Sequence, residues 1–316
     1  MPRKKLTHTV LFMSGGRVGL GNAILKDSNK ILRDSYLYGT TTAGARKVTE
    51  LVRQEISSET GEKPKNVMGF VPLDFTDPAC KDKIDKIAST LARQHGKLDI
   101  LINNAGYYQK PPSCLDCDPE RQAGLAQAML TTNFDGPTHL TEALLPYMAP
   151  RGIILNMTSH LSDLKSPYLL DMYDRPGLTL EKLLDENKEY VKSILDGTYR
   201  DKGFPVCGFS FSKHATNIYT QILQRRLDEN CPEKGIMVTA LCPGTKHSKM
   251  PELEEDKTIQ MHEAIARIRF IFGLSEEKVM EGLALKDLRG QALSHDMTFI
   301  KEKMWKPDNS NRECNY

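Results

Sequence analysis

The sequence predicts an α/β protein, a parallel sheet covered by crossover helices. Short apolar or β-branched runs alternate with longer amphipathic stretches. Each run is nearly continuously apolar, as in strands buried on both faces. No internal repeat and no Gly/Ser- or Pro-rich linker divides the 316 residues, so one domain over 1–316 is expected.

The first strand is expected at residues 9–13, and Ser14-Gly15-Gly16-Arg17-Val18-Gly19-Leu20-Gly21 follows it before the helical Asn22-Ala23-Ile24-Leu25. Further strands are expected at 36–39, 67–73, 100–103, 153–157 and 236–242. Ala215, Ile218, Ile222, Leu223 and Leu227 fall at helical spacing, which predicts a helix of about four turns opened by Lys213. Two segments interrupt the rhythm. One is an insertion over 161–205 with a helical pattern at 180–194; the other is a helical segment within 245–288. Both fall where strands end, so both are expected to wall a substrate crevice. Residues 307–316 are polar and expected to fray.

Charge excludes some functions. Forty-three basic residues nearly balance 41 acidic ones, a net charge of +2, so neither nucleic acid nor an anionic membrane is an expected partner. The basic start Met1-Pro2-Arg3-Lys4-Lys5 is followed by an apolar run too brief for a signal-peptide core or a membrane span, and a cytoplasmic location is expected. Seven scattered cysteines fit reduced thiols better than a disulfide framework. Cys114 and Cys117 form a CxxC, but with no second CxxC or histidine pair the loop reading is preferred and no metal is expected.

The glycine-rich turn is where a pyrophosphate can approach backbone N–H groups and the positive end of a helix. Its GxxxGxG spacing differs from a phosphate loop ending in GK[ST], which argues against an ATPase or GTPase. Further along, Asn103-Asn104-Ala105-Gly106 closes the fourth strand and Asn133 lies on the following helix, with Gly136 behind it. Asn156-Met157-Thr158-Ser159 closes the fifth, Lys213 follows, and Pro243-Gly244 ends the sixth.

With these motifs in this order, spanning roughly residues 8–250, the chain resembles the short-chain dehydrogenase/reductase family. The interruption between Ser159 and Lys213 is similar to that of its monomeric carbonyl reductases. The resemblance implies a doubly wound Rossmann fold, three layers α/β/α, with a nicotinamide dinucleotide across the carboxyl ends of the strands. It implies pyrophosphate binding by Gly15, Gly19 and Gly21, with Ser14 and Leu20 also at the cofactor, and adenine contact by Asp74. Asn104, Ala105 and Gly106 would line the adenosine ribose side, and Pro243 and Gly244 would also contact the cofactor. Ser248 would replace a threonine near the carboxamide. The second strand ends Leu37-Tyr38-Gly39-Thr40-Thr41-Thr42 with no acid to accept from a free ribose 2′-hydroxyl, so NADP(H) is favoured over NAD(H). Arg17 and the threonines, Thr40 foremost, are the expected 2′-phosphate partners, with Arg46 and Lys47 more distant. The insertion implies a monomer acting on a small-molecule carbonyl substrate.

The family's proton donor is a tyrosine four residues before the lysine. Ser159, Lys213 and Asn133 match the other catalytic positions, but the tyrosine position is Phe209, and no one-residue slip recovers a tyrosine. Losing a positioned acid costs about 100- to 10,000-fold in rate. Three readings stay open. One is a weak or specialised reductase with a substitute donor among His160, His214, Tyr107, Tyr108, Tyr168 and Tyr173. The second is a pseudoenzyme that binds cofactor as a sensor or scaffold, and the third is an interaction protein without cofactor.

Overall fold

The computed structural model describes residues 7–109, 118–162, 166–244, 261–273, 288–294 and 299. Cys114, Cys117, Ser248, most of the 245–288 segment and residues 307–316 lie outside them. In chain order the elements are β1 (Val10–Ser14), α1 (Gly19–Ile31), β2 (Tyr36–Thr41), α2 (Ala45–Thr60), β3 (Val67–Pro72), α3 (Cys80–His95), β4 (Leu98–Asn103), α4 (Pro119–Leu130) and α5 (Gly136–Leu144). There follow β5 (Met148–Met157), α6 (Pro167–Asp174), α7 (Leu180–Leu195), α8 (Gly208–Asn230), β6 (Met237–Leu241), α9 (Met261–Ile271) and β7 (Ala292–Leu293).

Among the described residues the seven strands pair in parallel, in the order β3-β2-β1-β4-β5-β6-β7. Strand order reverses between β1 and β4, and a crevice opens at their carboxyl ends at such a switch point. Alternation along the strands assigns the two cores. Leu11 and Met13 of β1 pack with Ile24 of α1, Val48 and Val52 of α2 and Ile268 of α9. Val10 and Phe12 turn the other way, toward Ile84 of α3, Leu130 of α4, Leu140 of α5 and Phe211 of α8. A doubly wound sheet between two helix layers is the fold the sequence predicts.

The differences lie at boundaries. Strand β5 begins at Met148, five residues before the predicted start, across a register irregularity between the Leu98 and Ile100 pairings. The two-residue β7 carries no pattern long enough to read. Helix α8 starts at Gly208, so Lys213 does not open it but lies in its second turn. Ser210, Ser212, Lys213 and His214 are all buried polar residues there, and they hide the apolar periodicity that becomes legible only from Ala215. No helix among the described residues is long and apolar enough to cross a membrane.

Candidate active site

The glycine turn is shaped by the strand beside it. Ser14, fully buried at the end of β1, accepts through Oγ from the backbone N–H groups of Asn104 and Ala105, each 3.1 Å away. Asn104 returns two bonds, Nδ2 donating to the carbonyls of Ser14 at 3.2 Å and Gly15 at 2.7 Å. The turn is thereby pressed onto β4. A Cβ on Gly15, whose φ is +71°, would lie 2.8 Å from Ala105 Cα, and one on Gly21 would lie 2.0 Å from the Gly15 carbonyl oxygen. Above Gly19 there is open space, with nothing within 4 Å of a would-be Cβ.

Helix α1 starts there with Gly19 and Leu20 in its first turn. Val18 at the N-cap gives no side-chain cap, and the first turn holds no acid. The N–H groups at this helix end are left for a ligand, and the helix dipole favours an anion. The cradle therefore fits a pyrophosphate.

Thr40 is buried and its Oγ1 accepts from Gly15 N–H at 2.9 Å, so this hydroxyl oxygen helps hold the turn. Thr41 Oγ1 likewise accepts from Ala43 N–H at 3.1 Å. Arg17 in the turn, Thr42, and Arg46 and Lys47 at the start of α2 are exposed on this side. Asp74 lies two residues past β3, and its Oδ1 accepts from Thr76 N–H at 2.9 Å and Thr76 Oγ1 at 2.7 Å, which fixes the carboxylate beside the sheet end. At the far side, Cys242 N–H donates to the Leu293 carbonyl at 2.7 Å, carrying Pro243 and Gly244 past the end of β6.

The positions expected to be catalytic gather on α8 and its neighbours. Lys213, 5% exposed, donates from Nζ to the Met157 carbonyl at 2.8 Å at the end of β5. Its Nζ lies 5.7 Å from the centre of the Phe209 ring, one helical turn earlier. Burial lowers the Lys213 pKa to about 8.

Asn133 lies on a π-helical turn, Thr131–Asp135, between α4 and α5; such turns recur at functional sites. Its Oδ1 accepts from Tyr107 N–H at 2.7 Å, while Nδ2 donates to the Tyr107 carbonyl at 2.9 Å and to Ser212 Oγ at 3.0 Å. It thus clamps the segment after Gly106 to α8. Ser212, fully buried, also donates to the Phe209 carbonyl at 2.7 Å; sequence reading passed over it, although its place beside Lys213 was a signal. Ser159 follows β5, half-buried, its Oγ accepting from Leu161 N–H at 3.2 Å. Asn103 is structural: its Nδ2 donates to Thr141 Oγ1 and Asn156 Oδ1, both at 2.8 Å.

The substitute donors sort by their surroundings. The Tyr168 hydroxyl is bonded to Glu186, and burial with that carboxylate pushes its pKa up to about 12. Tyr173 packs its ring against His214 at 5.1 Å, and His214 is fully buried, its pKa lowered by burial to about 4. The Tyr107 hydroxyl is bonded to Gln109. His160 is half-buried in the short turn after Ser159. Tyr108 meets Phe209, ring centres 5.2 Å apart and planes at 85°. Among the described residues no group of three His, Cys, Asp or Glu side chains could hold a metal ion.

Over 259 residues the chain is 28% identical to carbonyl reductase [NADPH] 3 of Mus musculus, covering 79% of this chain and 86% of that protein. Over 247 residues it is 28% identical to carbonyl reductase [NADPH] 1 of Homo sapiens, covering 76% and 83%. Menthone neomenthol reductase from Mentha piperita superposes with a TM-score of 0.64 at 22% identity, covering 91% of this chain and 99% of that one. A short chain dehydrogenase from Burkholderia cenocepacia in complex with NADP gives 0.60 at 19% identity, covering 92% and 97%. These two structures share the fold. The short chain dehydrogenase family profile matches residues 10–173, just over half of the chain, and the protein belongs to that family.

Proposed function

We propose that the chain is an NADP(H)-dependent reductase of small-molecule carbonyls, of carbonyl reductase type, with proton transfer made atypical by Phe209. The observation that carries this reading is the buried Lys213 ammonium at the end of β5, on the same rim of the sheet as the open glycine cradle. Bound there, the reduced nicotinamide supplies hydride to a carbonyl carbon. The chain's own residues do the rest. The α1 N-terminus with Gly15, Gly19 and Gly21 takes the pyrophosphate, and Asp74, Asn104, Ala105 and Gly106 line the adenosine side. Arg17, Arg46 and Lys47 attract a 2′-phosphate, and Lys213 donates to the nicotinamide ribose. Ser159 orients the carbonyl oxygen.

Phe209 keeps the ring and deletes the proton. Hydride addition to a simple ketone builds a strongly basic alkoxide, whereas a quinone yields a phenolate that bulk water protonates readily. Quinones and reactive dicarbonyls are therefore the substrates that tolerate the loss best. Helix α7 of the insertion packs against α4 and α8, which supports a monomer, and size-exclusion chromatography tests it.

The buried Phe209, with no hydroxyl to give, also favours a second reading, a cofactor-binding pseudoenzyme. One experiment separates the two. NADPH fluorescence quenching and thermal stabilisation should appear under both, and NADPH oxidation with a quinone only under the first. Absence of any NADPH effect removes both readings.

A further inference from the structure

We propose that Tyr108 is the proton donor of this site, its phenol standing in for the hydroxyl that Phe209 lacks. This rests on the reductase reading above.

Three independent observations carry it. The first is contact: the Tyr108 ring meets the Phe209 ring edge to face, with centres 5.2 Å apart, so a phenol stands against the position that should have held one. The second is support. Asn133 bonds both the N–H and the carbonyl of Tyr107, the residue next to Tyr108, at 2.7 and 2.9 Å, and ties that segment to Ser212 on α8. The third is availability. The hydroxyls of Tyr107 and Tyr168 are committed to Gln109 and Glu186, and Tyr173 is packed on His214. Among the described residues the Tyr108 hydroxyl has no hydrogen-bond partner, and it is not sealed from solvent. A substrate oxygen could therefore take its place as partner without displacing another bond.

The step balances. As hydride adds to the carbonyl carbon, the C=O π pair moves to oxygen, which takes the proton from Tyr108 O–H; solvent then returns a proton to the phenolate. Overall, carbonyl, NADPH and one proton give alcohol and NADP⁺.

Burial, with the Cys207 thiol nearby, raises the Tyr108 pKa above its ordinary value, whereas Lys213 faces the Phe209 ring. Tyr108 therefore stays protonated throughout the neutral range and is a weaker acid than a lysine-assisted tyrosine. A group of this kind serves a reductase of modest rate.

The test compares wild type, Tyr108→Phe, Phe209→Tyr and the double variant Tyr108→Phe with Phe209→Tyr, using NADPH with a simple ketone, whose alkoxide needs a donor and on which the kcat comparison is made, and with a quinone, which should lose less. Expected are a fall in kcat of about 100-fold in Tyr108→Phe, unchanged NADPH quenching, and recovery in the double variant. Ultraviolet phenol titration, which needs no turnover, should show one phenol ionising above pH 10 in wild type that is missing from Tyr108→Phe. Ketone turnover surviving in Tyr108→Phe, or a Tyr108 phenol titrating below its ordinary range, overturns the donor role and leaves the reductase reading intact. A wild type that quenches NADPH yet turns over neither substrate, while Phe209→Tyr does turn them over, overturns both.

Discussion

Lys213 Nζ lies 5.7 Å from the centre of the Phe209 ring, one turn along α8, so the buried ammonium faces an aromatic ring where a phenol oxygen would make it an ion-pair partner. Phe209→Tyr puts that oxygen back at little packing cost, because the ring stays in its 7%-exposed pocket. A phenol beside an ammonium ionises more easily. Turnover should rise about 10- to 100-fold, with a new ionisation in the kcat profile below the ordinary tyrosine pKa. Unchanged kcat would show that the missing hydroxyl was not limiting.

The glycine turn offers a matched pair of substitutions. Gly21→Ala drives a Cβ to 2.0 Å from the Gly15 carbonyl oxygen, so the backbone must move and the pyrophosphate cradle with it. NADPH affinity should fall at least about tenfold. Gly44→Ala, where nothing lies within 4 Å and φ is −58°, should leave affinity and melting temperature alone. Equal effects from both would dissociate the turn from cofactor binding.

The order of motifs made the sheet, the glycine turn and the positions of Ser159, Lys213 and Phe209 legible in the sequence, because strands buried on both faces leave continuous apolar runs. The contacts among side chains distant in sequence were not legible. Thr40 read as a phosphate ligand because its hydroxyl is polar and well placed; that its oxygen also accepts from Gly15 N–H is visible only in the fold. Tyr108 was one of six candidates, with His160 placed first, until the fold set it against Phe209. The start of α8 was hidden because its first two turns bury serines, a lysine and a histidine, a choice tertiary packing makes and periodicity cannot register.

Cofactor choice should follow the exposed cations. Arg17, Arg46 and Lys47 are exposed at the glycine turn and the start of α2, where a 2′-phosphate would be attracted. Arg17→Ala should raise the NADPH dissociation constant about 5- to 10-fold and leave NADH unchanged, and the wild-type advantage of NADPH should shrink with added salt. Equal losses for both dinucleotides would locate Arg17 on the pyrophosphate instead.

His214 makes stability fall in acid. Its folded pKa is lowered to about 4 by burial, so between that value and the ordinary 6.5 the unfolded chain binds the proton and the folded one does not. Its stability contribution is complete above pH 6.5 and drains away as pH falls toward about 4, by on the order of 3 kcal/mol. Urea unfolding of wild type and His214→Gln across pH 4–7.5 should show a shallower slope in the variant.

Asn133 is where stability and chemistry are predicted to part. Asn133→Ala removes three bonds, two to the Tyr107 backbone and one to Ser212 Oγ. Tyr107 is exposed enough for water to replace its bonds, but Ser212 is fully buried. The stability cost should therefore stay at about 1–3 kcal/mol. Turnover should suffer more, because these bonds tie the backbone of Tyr107, next to Tyr108, to α8. Asn133→Asp keeps an acceptor for Tyr107 N–H but sets an oxygen against the Tyr107 carbonyl, so it should match the alanine variant in kcat. NADPH quenching should be retained in both, since neither touches the glycine turn. An aspartate variant with wild-type turnover would show that the clamp is dispensable and that the segment carrying Tyr108 is held by other contacts.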